Sequence, residues 1–219
     1  MDPEKFYSDA IDYWNGVQPT VDGMLGGLGT GRIPQTDVVG SRTFLNRLNY
    51  RIGKIENLVA ADCGAGIGRV TENVLLKIAS HVDLVEPVEN FISTAKKQLA
   101  TKPCSFINVG LQNWTPEKNR YGLIWNQWCL SHLTDEDLIA YLSRCCEAIQ
   151  EKGVICVKEN VSSFEDTFDP IDSSVTRCEQ SLKSLFKKAN LVVVAETLQH
   201  GFPEELFPVK MYALVPHSS

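Results

Sequence analysis

Residues 58–69, Leu-Val-Ala-Ala-Asp-Cys-Gly-Ala-Gly-Ile-Gly-Arg, constrain the fold more than any other stretch of the chain. Leu58 to Ala61 is a short apolar run without polar alternation, the pattern of a strand covered on both faces. Gly64, Gly66 and Gly68 follow at every second position. Glycine lets a turn enter positive φ and lets a ligand approach the backbone. Val70, Val74 and Ile78 then recur at four-residue spacing, which predicts a helix over about 68–79. Its first backbone N–H groups would point back at the turn and favour an anion there. Strand, glycine turn and helix together are the opening unit of a ligand-binding α/β fold.

The spacing narrows the ligand. A dinucleotide turn reads G-x-G-x-x-G, whereas this one reads Asp-x-Gly-x-Gly-x-Gly, with Asp62 just ahead of the glycines. A second apolar run, Val82-Asp83-Leu84-Val85, ends in Glu86. An acid ending the second strand is placed to accept both ribose hydroxyls of a nucleoside. The pairing resembles the S-adenosylmethionine site of the Rossmann-like methyltransferases.

From Leu58 the chain alternates strand and helix. Strands are predicted near 58–62, 82–86, 105–109, 121–126 and 153–159, with helices near 68–79, 89–100 and 135–149. Thr134 and the acids Asp135, Glu136 and Asp137 mark one helix start, and Lys152-Gly153 closes that unit. Such alternation builds a parallel sheet with right-handed crossovers. A helix near 174–189 precedes two final strands, 191–197 and 209–215. The segment between them is too short for a crossover helix, so this pair should be antiparallel. The expected architecture is a Rossmann-like, seven-stranded class I methyltransferase sheet, mostly parallel with a terminal antiparallel hairpin. One domain spans 1–219, with a helical extension over 1–50 and the core over 51–219. The extension carries helices near 3–16 and 36–48. Between them lies a glycine-rich loop over 19–31; no strand leads into it, so it reads as a mobile lid and not as a phosphate loop.

Composition excludes other classes. Net charge is −6 with no basic run, which argues against a general nucleic-acid binder. The seven cysteines are odd in number, mostly in apolar runs and without a C-x-x-C pair. They read as reduced, buried thiols with no zinc site. No signal peptide or membrane span is visible, so a cytoplasmic location is expected.

Several runs identify the chain further: Tyr13-Trp14, Thr20-Val21-Asp22-Gly23-Met24-Leu25-Gly26-Gly27, Gly110-Leu111-Gln112, Gln127-Trp128, His132-Leu133-Thr134-Asp135, Lys158-Glu159-Asn160 and Asp172-Ser173-Ser174-Val175. With the glycine turn they resemble the protein α-N-terminal methyltransferases over nearly the whole chain, and the sequence looks like a fungal member. Such enzymes modify X-Pro-Lys N-termini after methionine removal. The resemblance implies S-adenosyl-L-methionine as cofactor and protein N-termini as substrates, with ribosomal proteins plausible among them. It implies no nucleic-acid or membrane partner, and a monomer. By position, Gly64, Arg69, Glu86, Leu111, Gln112 and Gln127 match the family's cofactor residues. Trp14, Leu25, Trp128, His132, Asn160, Asp169, Asp172 and Ser174 match its peptide channel. The family more often has Asp at the position of Glu86, Asp-Asn at Glu159-Asn160, and Tyr near Phe207.

The chemistry requires a deprotonated amine in line with an activated methyl group. A peptide α-amine has a pKa of about 7.7–8.0, so a base helps. Asp172 and His132 are the candidates. A carboxylate at its ordinary pKa of about 3.9 is a weak base, whereas an imidazole near 6.5 is better tuned. Asn160 would orient the amine, Trp14 and Trp128 would face the substrate proline, and Asp169 would hold the lysine. Plainer readings exist: Asp172 as the N-cap of the following helix, and Asn160 as a turn residue. A small-molecule methyltransferase would share the core, and so would a non-catalytic cofactor-binding subunit.

Overall fold

The computed structural model describes residues 2–52 and 58–217. The chain begins with α1 (Pro3–Gly16), where Asp2 caps by accepting from Glu4 N at 3.1 Å and Pro3 occupies the first turn. The glycine-rich segment is not a plain loop. It holds a one-turn helix, α2 (Val21–Met24), capped by Thr20 Oγ1, and Asp22 Oδ1 accepts from Gly29 N at 2.9 Å. The next helix, α3 (Ile33–Ile52), is longer than the apolar pattern predicts, because Pro34 fits its first turn.

The core follows as β1 (Leu58–Cys63), α4 (Arg69–Asn73), β2 (Ala79–Val85), α5 (Glu89–Gln98), β3 (Cys104–Ile107), β4 (Tyr121–Gln127), α6 (Asp135–Ala148) and β5 (Ile149–Asn160). The strand order is β3-β2-β1-β4-β5, all parallel. After α7 (Glu179–Lys188), β8 (Leu191–Leu198) and β9 (Val209–Pro216) complete seven strands, with β9 antiparallel between β5 and β8. The strand order therefore reverses between β1 and β4, and ligands of such sheets bind there, beyond the strands' C-terminal ends.

Three expectations need correction. The helix expected over 68–79 spans only five residues; a single 3-10 turn (Leu75–Lys77) follows, and β2 starts at Ala79 so that it can pair with Leu58. At its N-terminus sits a carboxylate of the chain itself: Asp62 Oδ2 accepts from Thr71 N at 2.9 Å and Thr71 Oγ1 at 2.6 Å. The helix expected over 174–189 begins only at Glu179, with Cys178 at the N-cap position. Asp172 is therefore no N-cap. It lies in the turn of a small antiparallel hairpin formed by β6 (Thr167–Asp169) and β7 (Ser174–Thr176). Finally, α6 ends at Ala148 and the chain enters β5 directly, so Lys152-Gly153 lies inside the strand.

Strand alternation sends side chains to two packed faces. Ile124, Ile155, Val157, Tyr212 and Leu214 meet α6 and α7. Leu123, Trp125, Cys156 and Ala213 meet α4, α5 and Phe44, Leu45 and Leu48 of α3. The N-terminal extension thus contributes to the main core. Gly40 of α3 lets the Gln199 side chain lie against the helix, since a Cβ there would come within 2.0 Å of Gln199 Oε1.

Candidate active site

A cavity of about 750 Å³ opens beyond β1 and β4, within the ordinary size of small-molecule sites. The glycine turn forms one wall. Gly64 N and Ala65 N donate to Val85 O at 2.9 and 3.1 Å, locking the turn to β2. Gly64 has φ +66°, and a Cβ there would lie 2.4 Å from Cys129 Cβ, so both conformation and space require glycine. Glu86, 5% exposed, spans the next gap: Oε2 accepts from Gly66 N and Oε1 from Val88 N, each at 2.8 Å. Burial raises its pKa to about 7, against the opposing pull of these two amides. Each oxygen keeps an open lone pair, the chemistry a ribose diol needs.

Leu111 and Gln112 sit on a turn opposite, pinned because Arg144 Nη2 donates to both of their carbonyls at 2.8 and 3.0 Å. Gln127 ends β4; its Oε1 accepts from Trp125 Nε1 at 3.1 Å and its Nε2 donates to Asp37 Oδ1 at 2.9 Å. Arg69 donates to Asp37 Oδ2 at 2.6 Å and lies 5.9 Å from the Trp128 ring centroid. Gly64, Arg69, Glu86, Leu111, Gln112 and Gln127 all line the cavity. A glycine cradle, a carboxylate with spare lone pairs, an amide and a guanidinium fit a nucleoside carrying an amino-acid tail.

The channel candidates line the same cavity. Trp14 Nε1 donates to His132 Nε2 at 3.1 Å, so the imidazole is neutral there and carries its proton on Nδ1, 3.3 Å from Ser173 O. Burial lowers the His132 pKa, while Asp172 nearby opposes the shift. Asp172 Oδ1 accepts from Ser174 Oγ at 2.6 Å, leaving Oδ2 without a partner among the described residues. Ser173 fixes this turn: it adopts φ +52°, and its hydroxyl donates to Phe6 O at 3.0 Å. Trp128, also left-handed at φ +53°, donates from Nε1 to Asn160 Oδ1 at 3.2 Å and stacks with Phe202. Leu25 is buried in the roof, followed by the exposed Gly26 and Leu28. Asp169 is exposed at the mouth and accepts from Ile171 N at 2.8 Å. Phe207, 45% exposed, completes the rim without a hydroxyl.

Two residues quoted in the sequence runs, Glu159 and Lys158, were given no role there, and Asp37 was not named. Glu159, 4% exposed, accepts from Cys129 N and Leu130 N at 2.8 Å through Oε1, and burial raises its pKa to about 7. Lys158 is wholly buried and bonded to Asp37, Ser41 and Gln199. Two adjacent charges ending the apolar run Val154 to Val157 were a legible sign of buried, paired groups. Asp37, inside an amphipathic helix, gave no such sign. No metal-binding cluster of His, Cys, Asp or Glu occurs among the described residues.

Comparison with known proteins agrees with this architecture. The family described as "AdoMet dependent proline di-methyltransferase" matches residues 2–215. The Arabidopsis thaliana alpha N-terminal protein methyltransferase 1 is 41% identical, covering 96% of this chain and 79% of that protein. The Xenopus laevis N-terminal Xaa-Pro-Lys N-methyltransferase 1-A is 40% identical, covering 97% and 96%. Among solved structures, a SAM-dependent methyltransferase from Leishmania major is 40% identical, superposes with a TM-score of 0.91 and covers 97% of this chain and 85% of that one. At 18% identity and a TM-score of 0.73, a Burkholderia thailandensis N-methyltransferase shares the fold, covering 100% of this chain and 92% of that one. The chain belongs to the AdoMet-dependent proline di-methyltransferase family and is a methyltransferase that uses S-adenosyl-L-methionine.

Proposed function

We propose that the protein methylates the α-amine of polypeptide N-termini of the X-Pro-Lys type, the specificity carried in the name of the Xenopus relative. The observation that carries the proposal is a single cavity. It joins the glycine turn and Glu86 to a cluster of Trp14, Trp128, His132, Asn160 and Asp172 and is rimmed by Asp169. A chain end fits such a channel, and a folded surface does not.

In this reading Gly64, Arg69, Glu86, Leu111, Gln112 and Gln127 hold the cofactor. Bound S-adenosylmethionine supplies a methyl group on a sulfonium sulfur, already activated for transfer. Asn160 Oδ1, which accepts one bond from Trp128, has a lone pair left to orient the α-amine. Asp172 accepts the amine's proton, because its Oδ2 is open while both His132 nitrogens are engaged. His132 stays neutral and fixes Trp14, whose indole with that of Trp128 offers apolar walls to the substrate proline. Leu25 roofs the first residue, Ser174 orients Asp172, and Asp169 pairs with the substrate lysine. Lysine-bearing N-termini such as those of ribosomal proteins would meet a monomeric enzyme in the cytoplasm.

Initial rates on three peptides test this specificity. Ser-Pro-Lys should exceed Ser-Ala-Lys and Ser-Pro-Glu by about tenfold or more in kcat/KM, the loss of one well-formed contact. Equal rates on all three would refute the channel assignment.

A further inference from the structure

The residues that face the cofactor's tail are themselves held by a residue that does not reach the cavity. Asp37 of α3 is 1% exposed. Its Oδ2 accepts from Arg69 Nη1 at 2.6 Å, and its Oδ1 accepts from Gln127 Nε2 at 2.9 Å and from Lys158 Nζ at 2.5 Å. Lys158 is wholly buried, with Ser41 Oγ at 3.0 Å and Gln199 Oε1 at 2.8 Å as its further partners. Arg69 and Gln127 line the cavity, whereas Asp37 and Lys158 stand behind them.

Asp37 thus holds two buried basic side chains at once, Lys158 behind the site and Arg69 at its wall. Lys158 is enclosed on every side, so only Arg69 can turn donors toward the cavity. The remaining guanidinium donors of Arg69 have no partner among the described residues, although its side chain is only 9% exposed. Donors that are nearly buried and unpaired are costly unless an acceptor completes them. The cofactor carries one anionic group, the carboxylate of its methionine part.

We propose that Asp37 is a positioning residue for the amino-acid end of the cofactor. It fixes the Arg69 fork and the Gln127 amide from behind, so that the free donors of Arg69 are held toward the methionyl carboxylate. The helical extension thereby becomes part of the cofactor site through α3. This rests on Arg69 and Gln127 serving the cofactor's tail, as proposed above.

Calorimetric titration with two ligands separates positioning from folding. S-adenosylhomocysteine carries the amino-acid tail; 5′-methylthioadenosine has the same nucleoside and no tail. In Asp37→Asn the dissociation constant for S-adenosylhomocysteine should rise by roughly ten- to hundredfold, the loss of a hydrogen bond to a charged group. That for 5′-methylthioadenosine should stay at the wild-type value. Asp37→Glu, which keeps the charge but displaces the carboxylate, should show a smaller loss on the same ligand only. Unchanged S-adenosylhomocysteine binding in both variants, or equal losses on both ligands, would overturn the proposal. Arg69→Met and Gln127→Leu serve as the reference. If they also fail to discriminate the ligands, the assignment of the tail site is wrong. If they discriminate and the Asp37 variants do not, only the role of Asp37 falls.

Discussion

In the proposed reading Asp172 and Glu86 are two carboxylates with opposite tasks, and each makes a prediction of its own. Asp172 keeps one oxygen open at the channel. Asp172→Asn preserves shape and removes the proposed proton acceptor, so kcat on an X-Pro-Lys peptide should fall by roughly 10²–10⁴-fold, the usual range for a lost base. Binding of S-adenosylhomocysteine, measured calorimetrically, should be unchanged. Glu86 sits deep, and burial raises its pKa to about 7. It must be ionised to accept two ribose hydroxyls at full strength. Cofactor affinity should therefore be fully present above pH 7 and decline as pH falls through 7 and the carboxylate gains its proton. Titrations with S-adenosylhomocysteine between pH 8 and pH 6 test this, and Glu86→Gln should be weak and flat across that range. A wild-type affinity independent of pH would contradict it.

At the scale of elements, the β6–β7 hairpin carries Asp169, Asp172 and Ser174, the proposed peptide end of the site. Ser173 is its fixing point, with a left-handed backbone, a hydroxyl on Phe6 O and a carbonyl on His132 Nδ1. Ser173→Val loses the hydroxyl bond and places a β-branched residue at positive φ, where it is strained. Peptide kcat/KM should fall by about tenfold or more, while cofactor binding stays at the wild-type level. An equal loss in cofactor affinity would mean that the hairpin supports the whole cavity. This element was not legible in the sequence. Its strands have three residues each, β6 is exposed along its length, and neither shows a sustained alternation. The strands of the seven-stranded sheet were legible because most contain a compact apolar run, and the antiparallel end followed from the short 201–205 link. The helix after the glycine turn was overextended because Val74 and Ile78 kept the four-residue spacing, although Val74 ends the helix with φ −122°. The glycine turn, Glu86, Gln127 and Asn160 lie at strand ends, so order alone brought them near one crevice. Asp37 lies 32, 90 and 121 positions from Arg69, Gln127 and Lys158. No local pattern encodes contacts of that range.

For the whole molecule, α3 decides whether the extension is separate. Phe44, Leu45 and Leu48 belong to the same buried cluster as Leu123, Trp125 and Cys156 of the sheet, and Asp37 ties the helix to β4 and β5. Extension and sheet should unfold together as one cooperative unit. Leu48, 1% exposed, should cost about 2–5 kcal/mol on truncation to alanine. In urea, Leu48→Ala should shift a single transition to lower midpoint by both fluorescence and circular dichroism. Two separated transitions would show that the extension folds apart from the core.

The central claim is that the cavity delivers an activated methyl group to a chain's α-amine. Its most direct test is to incubate the purified protein with S-adenosylmethionine and a Ser-Pro-Lys peptide, beside an N-acetylated copy, and to locate the product by tandem mass spectrometry. The account predicts mass gains of whole CH₂ units on the first residue of the free peptide and none on the acetylated one. Methyl groups on the lysine side chain, or equal gains on both peptides, would contradict it.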